Sequence, residues 1–332
     1  MELIQMGHGS GGRMMHRLVR DYFAPAFDLK TLNDSAVIDG FSPGRLAVTT
    51  DSYVISPLFF PGGDIGVLSV CGTVNDLAVS GARPMYLTAG FIIEEGFPLD
   101  DLERILRSMR AVADEAGVKV VAGDTKVVDR GKGDGVFINT AGFGIVEDGV
   151  DISPLNMRPG DKVIVSGSIG NHGVAVMAQR NGISFDPPLA SDVRPLNGLV
   201  AVMLEKTDNI RVMRDPTRGG LATTLKEFAN DSGLGIVIEE GLVEVRPGVK
   251  GACDLLGLDP LYIANEGILV AVVGAADAGA LVDEMRKTEA GADAAVIGEV
   301  VEIPAGTVLL KTGIGGSRIV DMLTGDQLPR IC

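Results

Sequence analysis

The sequence DISPLNMRPG, residues 151–160, separates two stretches of similar pattern. It contains two prolines and a glycine, and an apolar segment at residues 162–166 follows it closely. Proline and glycine at this density mark a connection between elements rather than a helix or a strand. We therefore predict a domain boundary here, with one domain over residues 1–152 and a second over residues 153–312.

Both stretches alternate apolar, strand-like segments with amphipathic, helix-like segments. In the first stretch, strands are predicted at residues 46–50, 85–91, 118–121 and 136–146, and helices at 14–23, 64–79 and 100–115. In the second, strands are predicted at 162–166, 235–238, 268–273, 294–299 and 307–311, and helices at 174–181, 197–206, 219–230 and 276–287. We therefore predict an α+β protein of two mixed α/β domains. The periodicity of the sequence does not determine the order of the strands in each sheet.

Composition narrows the class of protein. The 332 residues are 46% hydrophobic, which suits two globular domains with separate cores. A net charge of −15 disfavours general nucleic-acid binding, which needs a basic surface. No apolar run has the length of a membrane helix, and the first residues lack the pattern of an export signal. Three widely spaced cysteines form no disulfide or metal pattern, so we expect a cytoplasmic protein with free thiols.

The sequence ends with the residues Leu-Pro-Arg-Ile and then Cys332. Residues 313–332 begin with three closely spaced glycines, Gly313, Gly315 and Gly316, which are followed by an apolar group and then by a polar turn at Gly325. As a flexible coil, the last part of this segment could span about 23 Å. We expect a mobile tail over residues 313–332 that carries Cys332 into an active site as a tethered substrate. The alternative is a stray cysteine at a chain end, where sequence change is well tolerated.

Four aspartates lie at the edges of apolar segments: Asp34, Asp51, Asp76 and Asp124. Strand ends place side chains on one rim of a sheet, so these carboxylates could converge on Mg²⁺. An acidic protein that binds a polyphosphate needs such a cation to bridge carboxylate and phosphate. The alternative is that each aspartate caps a helix or fills a turn.

Other polar residues are candidates for the same site. The loop GHGSGG, residues 7–12, precedes a predicted helix and could cradle an anion with its amides, or it could simply turn the chain. Lys126 could balance phosphate charge and Glu266 could act as a base, although a surface lysine and a turn carboxylate are the plain alternatives. His172 and Arg218 each lie at a predicted helix start and could line a cleft.

These motifs resemble those of the HypE family of hydrogenase maturation proteins, the carbamoyl dehydratases. The resemblance covers nearly the whole chain and rests on the motifs at residues 8–12, 33–36, 50–52, 75–77, 123–126, 265–267 and 329–332. It implies a relationship to the ATP-using enzymes that make aminoimidazole ribonucleotide, selenophosphate and thiamine diphosphate. It also implies a homodimer in which the amino-terminal domains pair into a shared β-barrel, with ATP and Mg²⁺ in a cleft.

The resemblance further implies an activity. A partner, HypF, transfers a carbamoyl group to the terminal cysteine, ATP drives its dehydration to S-cyanocysteine, and the cyanide passes to iron on a HypC–HypD complex. The implied catalytic residues are Cys332 as acceptor, with Lys126 and Glu266 for charge stabilisation and proton transfer. The implied ATP and phosphate ligands are Gly9, Gly11, Gly12, Asp34, Asp51, Asn75, Asp76 and Asp124, and the four aspartates among them are the implied metal ligands.

Two other functions remain open at this point. One is an ATP-dependent kinase or synthetase of the same superfamily that acts on a free small molecule, which would leave the terminal thiol unexplained. The other is a thiol carrier or assembly scaffold without catalysis. The first predicts activity without the tail, and the second predicts partner binding without ATP turnover.

Overall fold

The computed structural model describes residues 12–18, 20–21, 36–38, 44–325, 328 and 330–332. These residues form two mixed α/β domains, one before and one after the 151–160 stretch, which contains a short 3₁₀ turn, Pro154–Asn156. Each domain is built on one large sheet. No helix in these ranges is both long and apolar enough to cross a membrane.

The first sheet has five strands in the order β1-β2-β7-β5-β6. Only β5 and β6 are parallel, and the other neighbours are antiparallel. The strands are β1 Ala36–Ile38, β2 Arg45–Tyr53, β5 Ala82–Glu94, β6 Lys119–Val128 and β7 Val136–Val146, and a small hairpin is formed by β3 Phe59–Phe60 and β4 Gly63–Asp64. The helices are α1 Gly12–Leu18, α2 Ile65–Val79 and α3 Leu99–Ala116.

Helix α2 is the central element of the first domain. It begins at Asp64, whose carboxylate accepts hydrogen bonds from the amides of Gly66 and Val67 at 2.8 and 3.0 Å. A side-chain acceptor at this position satisfies amides that have no partner within the helix. The helix is buried on almost every side because the sheet, α3 and the second domain all contact it. Its polar residues Ser69, Thr73 and Asn75 are therefore fully buried.

The second sheet has seven strands in the order β14-β13-β10-β12-β8-β11-β9, and only β10 and β13 are parallel. The strands are β8 Lys162–Val165, β9 Ile210–Arg214, β10 Gly235–Glu239, β11 Val270–Val273, β12 Ala295–Val301, β13 Val308–Lys311 and β14 Ser317–Val320. The helices are α4 Asn171–Arg180, α5 Asn197–Lys206, α6 Gly220–Ser232, α7 Pro247–Leu256 and α8 Ala275–Met285.

Both faces of the second sheet are covered. Val270 and Val272 of β11 pack in the cluster that contains Phe228 of α6, whereas Ala271 and Val273 pack in the cluster that contains α5 and α8. Side chains alternate between the two faces of a strand, so a strand buried on both faces needs apolar residues at consecutive positions. This explains the apolar run at residues 268–273.

The prediction of two mixed α/β domains is confirmed, and most predicted elements occur within a few residues of their predicted bounds. Three differences affect the site. The strand predicted at 118–121 continues to Val128, so Asp124 and Lys126 lie inside a strand and not after it. Strand β9 and helix α7 were not predicted.

The third difference concerns the tail. Its predicted start at residue 313 is too early, because Ser317–Val320 forms strand β14 and pairs with β13. The three glycines belong to the turn between these two strands, where the Thr312 amide donates to the Gly316 carbonyl at 2.9 Å. No closed barrel forms within the described part of the chain, and β1 and β6 are the edges of the first sheet. The shared barrel of a homodimer therefore stays a prediction.

Candidate active site

A cavity of about 180 Å³ lies between the two domains. Residues from β2, from α2, from two loops of the second domain and from the end of the chain form its walls. The lining residues are Thr49, Thr50, Asp51, Gly72, Asp76, Asp215, Thr217, Arg218, Glu266 and Cys332.

The first domain contributes carboxylates from a strand and a helix that pack against each other. Asp51 lies on β2, and Asp76 lies on α2 one turn after Gly72. Thr49 Oγ1 donates to Asp76 Oδ2 at 2.9 Å, which links the two elements. Gly72 has no room for a side chain, because a Cβ atom there would lie 2.3 Å from the Tyr53 hydroxyl. This close packing holds the two aspartates at one wall of the cavity.

The second domain contributes the loop between β9 and α6, which carries Asp215, Thr217 and Arg218. Gly220 ends this loop with a φ of 59°, and a Cβ atom there would lie 2.6 Å from the carbonyl oxygens of two neighbouring residues. The pKa of Arg218 is raised, and Cys332 makes the largest contribution. Nearby carboxylates raise it further, whereas burial lowers it. Arg218 therefore supplies positive charge beside Cys332.

Glu266 is buried at the centre of the cavity wall. It is only 2% exposed, and its Oε1 atom has no hydrogen-bond partner. Burial raises its pKa well above the usual value of 4.5, and the carboxylates of Asp215 and Asp51 raise it further, whereas Arg218 lowers it. A carboxyl group in such a site binds its proton tightly and is a strong base once it has lost that proton.

The main chain of Glu266 is fixed from two sides. Asp192 Oδ2 accepts hydrogen bonds from the amides of Glu266 and Gly267 at 3.1 and 2.9 Å. From the other domain, Asn75 Nδ2 donates to the Glu266 carbonyl at 3.4 Å and to the Arg194 carbonyl at 3.1 Å. Asn75 Oδ1 accepts from the Leu196 amide at 2.8 Å. The Asn75 side chain is thus engaged in joining the domains.

The residues predicted from the sequence divide into three groups. Asp51, Asp76, Glu266 and Cys332 line one cavity, together with Arg218. Asn75 does not line it, and neither does Gly12, which packs against the Leu323 carbonyl. Gly9, Gly11 and Asp34 lie outside the described residues.

Asp124 and Lys126 are not in the cavity of their own chain. They form an ion pair of 2.6 Å on the edge strand β6, and both side chains are 69% exposed. Asp51 on β2 is aligned across the sheet with Thr140 on β7, Ala89 on β5 and Gly123 on β6. Asp124 follows Gly123, so three strand spacings, about 14 Å, separate Asp51 from Asp124. The prediction that all the aspartates converge on one metal is therefore wrong for a single chain. Across the described ranges, no group of three or more acidic, histidine or cysteine side chains has the arrangement of a metal site.

Some residues of the site were not singled out from the sequence. Asp215 directly follows β9, which is the same strand-then-aspartate pattern that identified Asp51, but β9 itself was not predicted. Asp192 lies between two segments without periodicity, and no local pattern marks it. His172 was considered for the cleft, and its ring instead contacts the Ile331 carbonyl.

Comparison with known proteins defines the class. Residues 32–146 match the family described as AIR synthase related protein, N-terminal domain, and residues 158–311 match its C-terminal domain. The chain is therefore a two-domain protein of the AIR synthase-related class. The thiamine monophosphate kinase of Aquifex aeolicus, at 18% identity and a TM-score of 0.67, shares the fold over 90% of this chain and 97% of its own.

Much more similar relatives specify the family. The carbamoyl dehydratase HypE of Cupriavidus necator is 54% identical over 99% of this chain and 95% of its own length, and that of Escherichia coli is 43% identical over the full length of both. A crystal structure of HypE in complex with ATP has 47% identity and a TM-score of 0.85, covering 99% of this chain and 100% of its own. A HypE–HypF complex has 49% identity and a TM-score of 0.87, covering 92% and 99%. The chain belongs to the HypE family of carbamoyl dehydratases, which are hydrogenase maturation proteins.

The bonds made by Asn75 lead to a prediction about stability. Asn75→Ala removes one hydrogen bond from each of three main-chain groups at the domain contact, so we expect the free energy of unfolding to fall by about 2–4 kcal/mol. Urea denaturation measures this quantity. Asn156→Ala is the matched control, since the Asn156 amide bonds to Asp151 near the surface and its loss should cost less than about 1 kcal/mol. Equal losses in the two variants would contradict the role given to Asn75.

The raised pKa of Glu266 predicts a pH dependence. The folded protein binds a proton that the unfolded chain releases above a pKa of about 4.5, so the stabilisation is complete below this pH and is lost as the pH rises through the folded-state pKa. As the pH rises from about 4.5 to the folded-state pKa, we expect the free energy of unfolding of the wild type to decrease relative to Glu266→Gln by up to about 1.4 kcal/mol per pH unit. Urea denaturation across this range tests the difference. Glu95→Gln, at an exposed position, should keep the wild-type slope.

Proposed function

We propose that the protein uses ATP to dehydrate a carbamoyl group carried on the sulfur of its own Cys332, producing S-cyanocysteine for the iron of a NiFe hydrogenase. One observation carries the proposal. Cys332 shares a single cavity with the buried carboxyl of Glu266, the guanidinium of Arg218 and the carboxylates of Asp51 and Asp76. A thiol at this position has an acid–base group and groups suited to phosphate chemistry within one small volume.

The reaction converts S–C(=O)–NH₂ into S–C≡N. The carbamoyl carbon loses its oxygen, which leaves on phosphate, and the nitrogen loses two protons as the triple bond forms. When bound, ATP supplies the phosphoryl group that makes this oxygen a good leaving group and becomes ADP. The chain's residues must then orient the thiol adduct, remove protons and exclude water, because water would hydrolyse an activated carbamoyl group.

Each of these tasks has a candidate residue. Glu266 accepts a proton from the carbamoyl nitrogen, a role that suits a buried carboxyl with a raised pKa. Arg218 stabilises negative charge that develops at the carbamoyl oxygen and phosphate. Ile331, only 4% exposed beside Cys332, packs against apolar residues of the first domain and keeps water from that side.

The carboxylates of the cavity suit a divalent cation. Asp51, Asp76, Asp215 and Glu266 crowd together closely enough that Asp215 and Asp51 raise the pKa of Glu266, and the Oε1 atom of Glu266 is buried without a partner. Because no three of the described acidic side chains are arranged as a metal site by themselves, we propose that Asp51 and Asp76 would hold Mg²⁺ together with oxygens of the triphosphate, where the cation would neutralise charge between carboxylates and triphosphate. Gly9, Gly11 and Asp34, which lie outside the described residues, remain proposed phosphate or metal ligands, whereas Gly12 lies away from the cavity. Asn75 acts indirectly by holding Glu266.

We also propose a homodimer formed through β6. This edge strand exposes Val120, Val121 and Val127, and an exposed apolar strand edge is a surface that normally pairs with another strand. Pairing there is compatible with the shared barrel implied by the family. Asp124 and Lys126 lie on the same strand, so in a dimer they could serve the nucleotide site of the other subunit, but not their own.

The proposed partners follow from the family. The relative of 49% identity was crystallised as a HypE–HypF complex, and we propose that HypF supplies the carbamoyl group to Cys332. We propose a HypC–HypD complex as the acceptor of the cyanide. The three free cysteines suit a reducing compartment, which supports a cytoplasmic location.

Mass spectrometry of the terminal peptide tests the proposed reaction. Carbamoylated protein incubated with Mg²⁺ and ATP should lose one water equivalent at Cys332. Cys332→Ala should carry no modification. Asp51→Asn and Glu266→Gln should each lower the rate of dehydration by about 100-fold or more, because a metal ligand and a proton acceptor are removed.

Three results would contradict this reaction. Dehydration that continues unchanged in Asp51→Asn would favour a carrier or scaffold without its own catalysis. ATP turnover on a free small molecule after removal of the last five residues would favour a kinase or synthetase. Loss of water from Cys332 without ATP would remove the role of the nucleotide.

Sedimentation velocity tests the proposed dimer. The wild type should sediment as a dimer, and Val121→Lys should weaken association at least about tenfold, because a charged residue on an edge strand opposes strand pairing. Ile314→Lys is the control, since Ile314 is 96% exposed in the turn between β13 and β14. A wild type that stays monomeric, or two variants that behave alike, would exclude β6 as the interface.

A further inference from the structure

The last residues of the chain lie in a groove between the end of β2 and helix α4. Four donors point at three consecutive carbonyl groups. The Val54 amide donates to the Cys332 carbonyl at 3.2 Å, and the Ser56 amide donates to the Arg330 carbonyl at 3.3 Å. From α4, Arg180 Nη2 also donates to the Arg330 carbonyl, at 2.7 Å, and His172 Nε2 lies 2.8 Å from the Ile331 carbonyl. Helix α4 and the segment that follows β2 thus hold the tail by its main chain.

The hydrogen bonds around His172 define its tautomer. Ser191 Oγ accepts from the Val193 amide at 3.0 Å, so its hydroxyl proton is free to be donated to His172 Nδ1, which lies 2.8 Å away. The proton on Nε2 then points at the Ile331 carbonyl. The ring is fully buried, burial lowers its pKa, and it meets Phe60 edge-on at 5.4 Å. A neutral histidine in this tautomer is a fixed donor to any residue at position 331.

Main-chain bonds of this kind do not distinguish one tail sequence from another. Side-chain contacts are made by Leu328, which packs against two core clusters, and by Arg330 and Ile331. Ile331 is 4% exposed within the core cluster of the first domain. Arg330 Nε donates to the Val54 carbonyl at 3.0 Å, and Arg330 Nη1 forms an ion pair with Asp134, which lies just before β7.

The surroundings make Asp134 important for Arg330. The guanidinium of Arg180 reaches the main chain of the same residue, so positive charge is already present in the groove. Arg330 Nη2 is buried without a partner, and its residue has a left-handed φ of 55°, a conformation that non-glycine residues adopt infrequently. Without Asp134, the guanidinium of Arg330 would keep the Val54 carbonyl as its acceptor and lose its ion pair. Among the described residues, Asp134 is the carboxylate that the structure pairs with it.

We propose that Asp134 is a specificity-determining residue, which selects a tail with arginine two positions before the reactive cysteine. In this proposal, His172 and Arg180 position the main chain of whichever tail is bound, and Asp134 and the pocket for Ile331 decide which tail that is. The inference rests on the proposed function for its biological meaning, since a docked tail matters because Cys332 reacts in the cavity. Its physical content is the docking equilibrium alone, which needs no nucleotide.

A charge exchange in the full-length chain tests the proposal. The readout is the rate at which a maleimide carrying a polyethylene glycol chain modifies Cys332, because this reagent is too large for a cavity of about 180 Å³ and reacts with the undocked tail. Cys71 and Cys253 are buried, and peptide mapping confirms that Cys332 is the site. We expect Arg330→Glu and Asp134→Arg each to increase the rate about tenfold, and the double variant to return to within about threefold of the wild type.

Asp129→Arg is the matched control. It makes the same change of charge in the same loop at an exposed position, and the rate should not change. The proposal is overturned if neither single variant reacts faster, or if the double variant reacts as fast as the singles or faster. Circular dichroism confirms that each variant is folded, and Asp134 tolerates substitution because its side chain is half-exposed in a loop.

The result of the charge exchange can be distinguished from the result of the test of the proposed reaction. If the charge exchange behaves as expected but ATP does not dehydrate carbamoylated Cys332, the tail is recognised and the proposed chemistry is wrong. If dehydration occurs but the exchange does not restore protection, the chemistry stands and Asp134 does not select the tail.

Discussion

The contact between helix α2 and the second domain is the constraint on which the site depends. Asn75 bonds to main-chain groups that are 119, 121 and 191 residues away in sequence, and it thereby ties the loop of Glu266 to the helix that carries Asp76. Because two of these bonds end on buried main-chain groups and the third on a part-buried one, movement between the domains would leave polar groups without partners. Glu266 and the carboxylates of the first domain are thus held at fixed positions around the cavity. Only the end of the chain has to move into it.

The second constraint on the site is the charge of the groups that line the cavity. Glu266 and the aspartates share a small volume with Arg218, and the same proximity raises the pKa of Glu266 and that of Arg218. Burial is the main cause of the raised pKa of Glu266, and repulsion by the neighbouring carboxylates adds to it. Cys332 and the same carboxylates stabilise the guanidinium of Arg218 against the opposing effect of burial. A cation that enters the cavity lowers the pKa of Glu266, because it favours the charged carboxylate. A carboxyl with this property changes from proton donor to proton acceptor when the positive charge beside it increases.

The sequence predicted the elements better than it predicted the contacts between them. Strand Val136–Val146 and helix Asn197–Lys206 match their predicted bounds because their patterns are long and regular. Strand β9, whose sequence IRVMR includes two arginines, has no such pattern, and Asp215 was overlooked with it. Asp51, Asp76 and Glu266 were placed in one site from motifs, whereas the exclusion of Asp124 required the strand order. The role of Asn75 depends on bonds that span more than a hundred residues, and no local pattern encodes them.

The energetics of the docked tail explain why a single ion pair can determine its position. Burial of Ile331 contributes about 2 kcal/mol and each of the main-chain hydrogen bonds about 1 kcal/mol, whereas ordering the last few residues costs about 1–2 kcal/mol per residue. The favourable and unfavourable contributions roughly balance, so the docked and undocked forms differ by little. Under the proposed function the tail needs this balance, because Cys332 would have to be reached by another enzyme and then enclosed. In such an equilibrium the half-exposed pair of Arg330 and Asp134 is small in absolute energy and still large enough to shift the population.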